Sequence, residues 1–220
     1  MGALRRHPIM KTYEISSSGD RRFYLPYTGV GSRKTPAEIR QIISKIAKRA
    51  AQLKMTLRSG GAQGADLAFE WAAKRVPDSP APEIFYASDA TDECRKLAAQ
   101  VHPAWDRCSD FVRNLHGRNA LQVLGRSLND PSRFLVCWTP DGAECEAECS
   151  IRTGGTGTAI RMASRNHIPV FNLARPNALP RLREFVHKIL PHCATCGHKL
   201  DSCTCGSTAT TTTTTKSANV

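Results

Sequence analysis

Met55-Thr-Leu-Arg-Ser-Gly-Gly-Ala-Gln-Gly-Ala-Asp66 reads as a short strand, a glycine turn and the start of a helix. The helical pattern continues from Ala65 to Arg75. The same succession occurs upstream, where Phe23-Tyr-Leu-Pro-Tyr-Thr-Gly-Val30 leads through Gly29-Val-Gly31 into a helix. That helix is predicted with Thr35 as N-cap, Pro36 at its first position and Glu38 completing a capping box. Ile39, Ile42, Ile43, Ile46, Ala50 and Leu53 share one face, and Arg40, Lys45, Lys48, Arg49 and Lys54 the solvated opposite one.

Downstream, Pro77-Asp-Ser-Pro-Ala-Pro82 is a linker to a strand at Glu83-Ile-Phe-Tyr86. Helices are expected near Asp92–Val101 and Ser109–Gly125. Arg133-Phe-Leu-Val-Cys-Trp138 has the continuous apolar character of a strand buried on both faces. A polar loop from Thr139 to Thr153 opens into Gly154-Gly-Thr-Gly-Thr158 and a helix through Ser164. Ile168–Leu173 is the last strand and Leu179–Leu190 the last helix. Strands alternating with helices predict an α/β fold, Rossmann-like and doubly wound on a mostly parallel sheet.

The chain has 220 residues, one domain of ordinary size plus something small. Hydrophobic content of 40% and charged content of 23% exclude a wholly disordered protein. No apolar run approaches a membrane span, and the N-terminus has no apolar core of a signal peptide, so a cytoplasmic chain is expected. Four segments follow: an arm at 1–22, the main domain at 23–190, a cysteine module at 191–206 and a threonine-rich tail at 207–220, expected to be disordered. The net charge of +12 is uneven. Residues 1–54 carry 12 basic and 3 acidic side chains, 55–150 carry 10 and 14, and 151–220 carry 9 and 2. Basic ends of this kind attract polyanions, single-stranded DNA among them.

Nine cysteines without an export signal read as thiols or metal ligands. Cys193, Cys196, Cys203 and Cys205 offer four thiolates, enough for one structural zinc in a knuckle-like module. The second pair, with one intervening residue, is tighter than usual, and His192 or His198 is an alternative ligand.

Three glycine-rich turns fall where open parallel sheets bind ligands, outside the carboxyl ends of strands. They are Thr28-Gly-Val-Gly-Ser-Arg33, Ser59-Gly-Gly-Ala-Gln-Gly-Ala-Asp66 and Gly154-Gly-Thr-Gly-Thr158. Glycine lets the backbone approach an anion, and helix N-termini present N–H groups to it. The candidate ligand-binding residues here are Gly29, Gly31, Ser32 and Arg33, then Ser59, Gly60, Gly61, Gly64 and Asp66, then Gly154, Gly155, Thr156, Gly157 and Thr158. Asp66 reads either as a ribose partner or as a helix-dipole carboxylate. Arg118 and Asn119 read as pocket residues or structural caps; Trp138 as a base-stacking residue or core edge, with Asp141 beside it. Neither a Walker A loop nor the dinucleotide Gly-x-Gly-x-x-Gly fingerprint is present.

Gly31-Ser-Arg33, Ser59–Asp66 and Arg118-Asn119 ahead of Val136-Cys-Trp138 together resemble the SLOG superfamily, over about Phe23 to Leu173. That superfamily joins the DprA/Smf DNA-processing proteins and the LOG ("lonely guy") nucleotide phosphoribohydrolases. The short form with Trp138-Thr-Pro-Asp141 is similar to members carried by bacteriophages, which would place it in a host cytoplasm. The resemblance implies a nucleotide pocket built by these turns. LOG enzymes carry Gly-Gly-x-Gly-Thr-x-x-Glu, with the glutamate in catalysis; here Gly154 to Thr158 match and Arg161 stands at the glutamate position. This points to a binding protein and makes Arg161 a cation of the pocket, unless Glu144, Glu146 or Glu148 replaces the lost carboxylate. The simpler reading of those three is a solvated mobile loop. The function expected is therefore binding of a nucleotide or nucleotide-derived ligand. A DprA-like single-stranded DNA binder and a LOG-like N-glycosidic hydrolase are the alternatives, and a homo-oligomer is compatible with each.

Overall fold

The computed structural model of the protein describes residues 13–15, 21–23 and 25–190. The quartet Cys193, Cys196, Cys203 and Cys205 and the threonine-rich tail lie outside the described residues. The chain divides into two units, residues 1–181 and 182–220, whereas its composition changes only after Leu190. The described part of the second unit is the later portion of the last helix, with Lys188 paired to Glu184 one turn back.

In the first unit, β1 (Tyr13–Ile15) and β2 (Arg21–Phe23) form an antiparallel pair where an arm was expected over 1–22, with Phe23 one residue beyond it. The first strand expected from the sequence, Phe23 to Val30, is thus divided. Phe23 belongs to β2, and β3 runs Pro26–Gly29. Proline has no N–H to give to a ladder, so a central strand can begin there but not contain it.

The chain continues as α1 (Ala37–Gln52), β4 (Thr56–Ser59), α2 (Ala65–Lys74), β5 (Glu83–Ile84), α3 (Asp92–Val101), α4 (Asp110–Leu124), β6 (Leu135–Cys137), α5 (Thr156–Arg165), β7 (Val170–Asn172) and α6 (Ala178–Ile189). Strands β3 to β7 form an all-parallel sheet of five in the order β5-β4-β3-β6-β7. This is a doubly wound, Rossmann-like α/β arrangement. From β3 the chain winds outward through β4 to β5, then crosses back and winds the other way through β6 to β7. Right-handed crossovers therefore put α1 and α2 on one face and α3, α4 and α5 on the other.

The strands read as apolar runs because both faces are covered. Tyr27 stacks on Phe134 at 5.4 Å and meets Phe69 of α2 edge-on at 6.4 Å. On the opposite face Cys94, Ala98, Leu121, Val123, Ile160 and Ala163 are fully buried with Leu135 and Cys137 of β6. Helix α1 buries Ile43, Ala47, Ala50 and Ala51 and keeps Lys45, Lys48 and Arg49 in solvent, as its periodicity requires. Its start differs from expectation. Pro36 is the N-cap, no side chain caps the helix, and the buried Thr35 hydroxyl donates to the Ser32 carbonyl at 2.6 Å. The threonine is spent tying down the β3–α1 turn. Arg58, at the end of β4 and 1% exposed, donates to Glu83 at 2.9 Å and Asp130 at 2.6 Å, joining β5 to the loop after α4. No helix among the described residues is long and apolar enough to cross a membrane.

Candidate functional site

At the carboxyl edge of β3 and β6, where the winding reverses, the turns close on one another. A Cβ on Gly31 would lie 2.7 Å from the Ala65 Cβ and 3.2 Å from the Trp138 carbonyl oxygen, so only glycine lets this turn pass between α2 and β6. Gly31 N–H donates to Asp66 Oδ1 at 3.2 Å, and Ser32 N–H donates to the Trp138 carbonyl at 3.2 Å. Gly64 opens α2 at φ +88°, where a Cβ would lie 2.6 Å from the Ser32 carbonyl oxygen; a side chain there is both strained and blocked.

The second turn carries the charged centre. The Arg118 guanidinium, from α4, lies over Gly60 so closely that a Cβ there would overlap one of its nitrogens. Arg118 sits 3.9 Å from Asp66 Oδ2. The Gln122 amide, oriented to satisfy its neighbours, donates to Asn119 Oδ1 at 2.7 Å and accepts from Gly60 N–H at 2.7 Å and from Arg118. Asn119 in turn donates to the Gly155 carbonyl at 3.5 Å. Asp66 is 3% exposed. Burial pushes its carboxyl up to about 6, although the Arg118 charge and the N–H groups of Ala62, Gly31 and Gly60 pull it down.

The third turn is open. A Cβ on Gly154 or Gly155 would meet nothing within 4 Å, and Gly155 has an ordinary helical backbone with φ −61°. Together the turns border a cleft of about 550 Å³. Its cations are Arg33, Lys34, Arg118 and Arg152, its carboxylate is Asp66, and Val30, Ala62, Val112, Leu115 and Ala159 give it an apolar wall. Tyr86, 56% exposed, stands at its edge. His116 also borders it; burial pushes that imidazole down to about 4, with the His102 and Arg118 charges acting in the same direction.

Of the residues expected from the sequence, Gly31, Ser32, Arg33, Gly60, Asp66, Arg118, Asn119, Gly154, Gly155 and Thr156 line this cleft. The others serve the frame. Gly29 lies against the Phe69 ring, and the Ser59 hydroxyl donates to the Gly29 carbonyl at 2.7 Å. Gly61 and Gly64 shape the β4–α2 turn with positive φ. Trp138 contributes backbone to the Gly31–Ser32 turn. Asp141 accepts hydrogen bonds from Thr139, Ser150 and Thr153; burial opposes ionisation, but these bonds bring its carboxyl down to about 2. Gly157 faces Arg161 and Thr153, and the Thr158 hydroxyl bonds His116 Nδ1 at 2.8 Å.

Arg161 is not a lining residue; the additional cation is Arg152, two residues before Gly154. The three glutamates are no solvated loop. Glu144 accepts from Asn172 N–H at 2.9 Å and pairs with Arg175 and Arg181, Glu146 pairs with Arg165, and Glu148 pairs with Arg175. They pin the 139–153 loop to its surroundings, and none borders the cleft.

Sequence reasoning missed Tyr86, His116, Gln122, Lys34 and Arg152. A signal existed for the α4 residues: Val112, Leu115, His116 and Asn119 fall at i, i+3, i+4 and i+7, one face of a helix. Tyr86 follows the end of β5 by the same strand-end rule that located the glycine turns. As for metals, His102, Cys108 and His116 bring one ligand atom each within 4.8 Å of one another, the group among the described residues that can hold an ion. No protein-family description, curated protein or solved structure matches this chain.

Proposed function

We propose that this protein binds a nucleotide or nucleotide-derived ligand in the cleft, as the SLOG resemblance implies. The observation that carries the reading is the convergence of the β3–α1, β4–α2 and α5 turns on one space bordered by Arg33, Lys34, Arg118 and Arg152. Phosphate groups meet the exposed N-terminus of α5 from Gly155 onward and the guanidinium of Arg118. Asp66 lies beside Arg118 to take a ribose hydroxyl, and Tyr86 offers the face on which a base stacks. Hydrolysis has weaker support, since Glu144, Glu146 and Glu148 are engaged with arginines away from the cleft. The C-terminal quartet Cys193, Cys196, Cys203 and Cys205 is read as a separate structural zinc site.

Native mass spectrometry followed by denaturation of the same sample tests the reading. A released nucleotide, or saturable binding of one by the purified protein that Arg118→Gln weakens at least tenfold, is the expected result. A cleft that binds no nucleotide overturns it. The exposed cations Arg33 and Lys34, which border the same cleft as Tyr86, favour single-stranded DNA as the second reading. DNA affinity would then fall steeply and linearly in log salt, whereas a small ligand is weakened only moderately.

A further inference from the structure

His102 is the C-cap of α3, Cys108 ends the short 3₁₀ turn Trp105–Arg107, and His116 stands on α4. The turn between the two helices folds back so that these residues meet, all three half-buried. The Cys108 sulfur lies 3.9 Å from His102 Nδ1, and the two imidazole centroids are 4.2 Å apart. In a tetrahedral zinc site, bond lengths of about 2.0–2.1 Å to nitrogen and 2.3 Å to sulfur put ligand atoms about 3.3–3.6 Å apart. The sulfur–nitrogen spacing of 3.9 Å is close to that, and the three ligand atoms, which lie within 4.8 Å of one another, must draw together to reach it.

The surroundings hold His116 as a ligating imidazole is held. Thr158, in the first turn of α5, bonds His116 Nδ1 at 2.8 Å and leaves the other ring nitrogen for a metal. The Ala104 N–H donates to His102 Nδ1 at 3.2 Å and its carbonyl accepts from the Cys108 thiol at 3.5 Å, so a metal held through Nδ1 and the thiolate displaces both contacts. An outer contact such as that of Thr158 fixes the orientation of a ligating imidazole. No carboxylate belongs to the group, so its chemistry is nitrogen and sulfur, which selects a borderline transition ion over magnesium or calcium.

We propose that His102, Cys108 and His116 bind a transition-metal ion of the zinc class at the border of the cleft. Three protein ligands leave a coordination position for a fourth group. His116 borders the cleft and Arg118 lies two residues on, so an anionic fourth ligand suits the site. That last step rests on the nucleotide reading; the metal site itself does not.

The test uses Co²⁺ on the full chain with Cys193, Cys196, Cys203 and Cys205 changed to Ser, which removes the competing thiolates. One equivalent should bind, with the visible bands of tetrahedral cobalt and a near-ultraviolet thiolate charge-transfer band. Cys108→Ser should abolish the charge-transfer band, His116→Gln should abolish stoichiometric binding, and Thr158→Val should weaken it by roughly 10–100-fold. Circular dichroism without metal checks the fold of each variant. In the unaltered chain Zn²⁺ should slow alkylation of Cys108 as followed by peptide mapping, a readout that needs no variant to fold. Absence of cobalt binding in the tail variant, bands that persist in both Cys108→Ser and His116→Gln, or alkylation indifferent to zinc would each overturn the proposal. Inorganic phosphate added to the cobalt form then reads the fourth position separately: a spectral shift supports an anionic ligand there, and no shift removes that step alone.

Discussion

Asp66 is held in a site that resists its charge, and this has a measurable sign. Its carboxyl is raised to about 6 from an ordinary 3.8, chiefly by burial. Between those values the folded protein holds a proton that the unfolded chain has released, so stability falls as pH rises through the window. The contribution is complete below 3.8 and lost above about 6. At about 1.4 kcal/mol for each pH unit, the loss is about 3 kcal/mol. Asp66→Asn removes the titration while keeping an oxygen to accept from Gly31 N–H. The stability difference between the Asp66→Asn variant and the parent protein should therefore shift by about 2 kcal/mol, most of that loss, in favour of the variant from pH 4 to pH 7. His116, pushed down to about 4, titrates with the opposite sign across the same range, and taking the difference between the two proteins cancels it. Urea unfolding in EDTA at four or five pH values, with m unchanged, gives the number. A difference that is flat with pH, or that moves against the variant as pH rises, would refute the reasoning. The second outcome would mean that attraction to Arg118 outweighs burial.

Gly155→Ala places a methyl group in open space on an ordinary helical backbone, so it should be neutral or stabilising by up to about 1 kcal/mol. The same methyl should weaken nucleotide binding at least tenfold, as thermal melting and calorimetric titration would show. Gly60→Ala must push the Arg118 guanidinium aside; nucleotide affinity should fall to about that of Arg118→Gln, and the two changes together should cost little more than either alone. Arg58→Met removes the partner of Glu83 and Asp130, and because those carboxylates are about a third exposed the cost should be about 2–3 kcal/mol by urea unfolding. Nucleotide affinity should be unaltered in that variant.

The order of the strands β3 to β7 and of the helices was legible because each of them declares itself locally, whereas the β1–β2 pair was not expected. Helix α3 falls at Asp92–Val101 as its pattern indicates, and three of the expected turns border the cleft. What was not legible depends on partners distant in sequence. Whether Thr35 caps α1 or ties the turn to Ser32 is decided by the packing of that turn, not by the local motif. Glu144 looks like a free loop carboxylate until β7 brings Arg175 and the Asn172 N–H to it. Arg161, expected from the sequence as a cation of the pocket, does not border the cleft. His102, Cys108 and His116 have spacings that match no familiar ligand motif. Only the reversal between α3 and α4 makes them neighbours.

The two windings of the sheet meet along β3 and β6, whose pairing is short, with Thr28 opposite Leu135 and Gly29 opposite Val136. The cleft straddles that seam, taking Gly31, Gly60 and Asp66 from one winding and Arg118, Gly155 and Thr156 from the other. A molecule lodged there would act as a strap across the seam. Amide hydrogen exchange in β4 and in the first turn of α5, far apart in sequence, should then slow together on occupancy, because opening either half requires releasing the same strap.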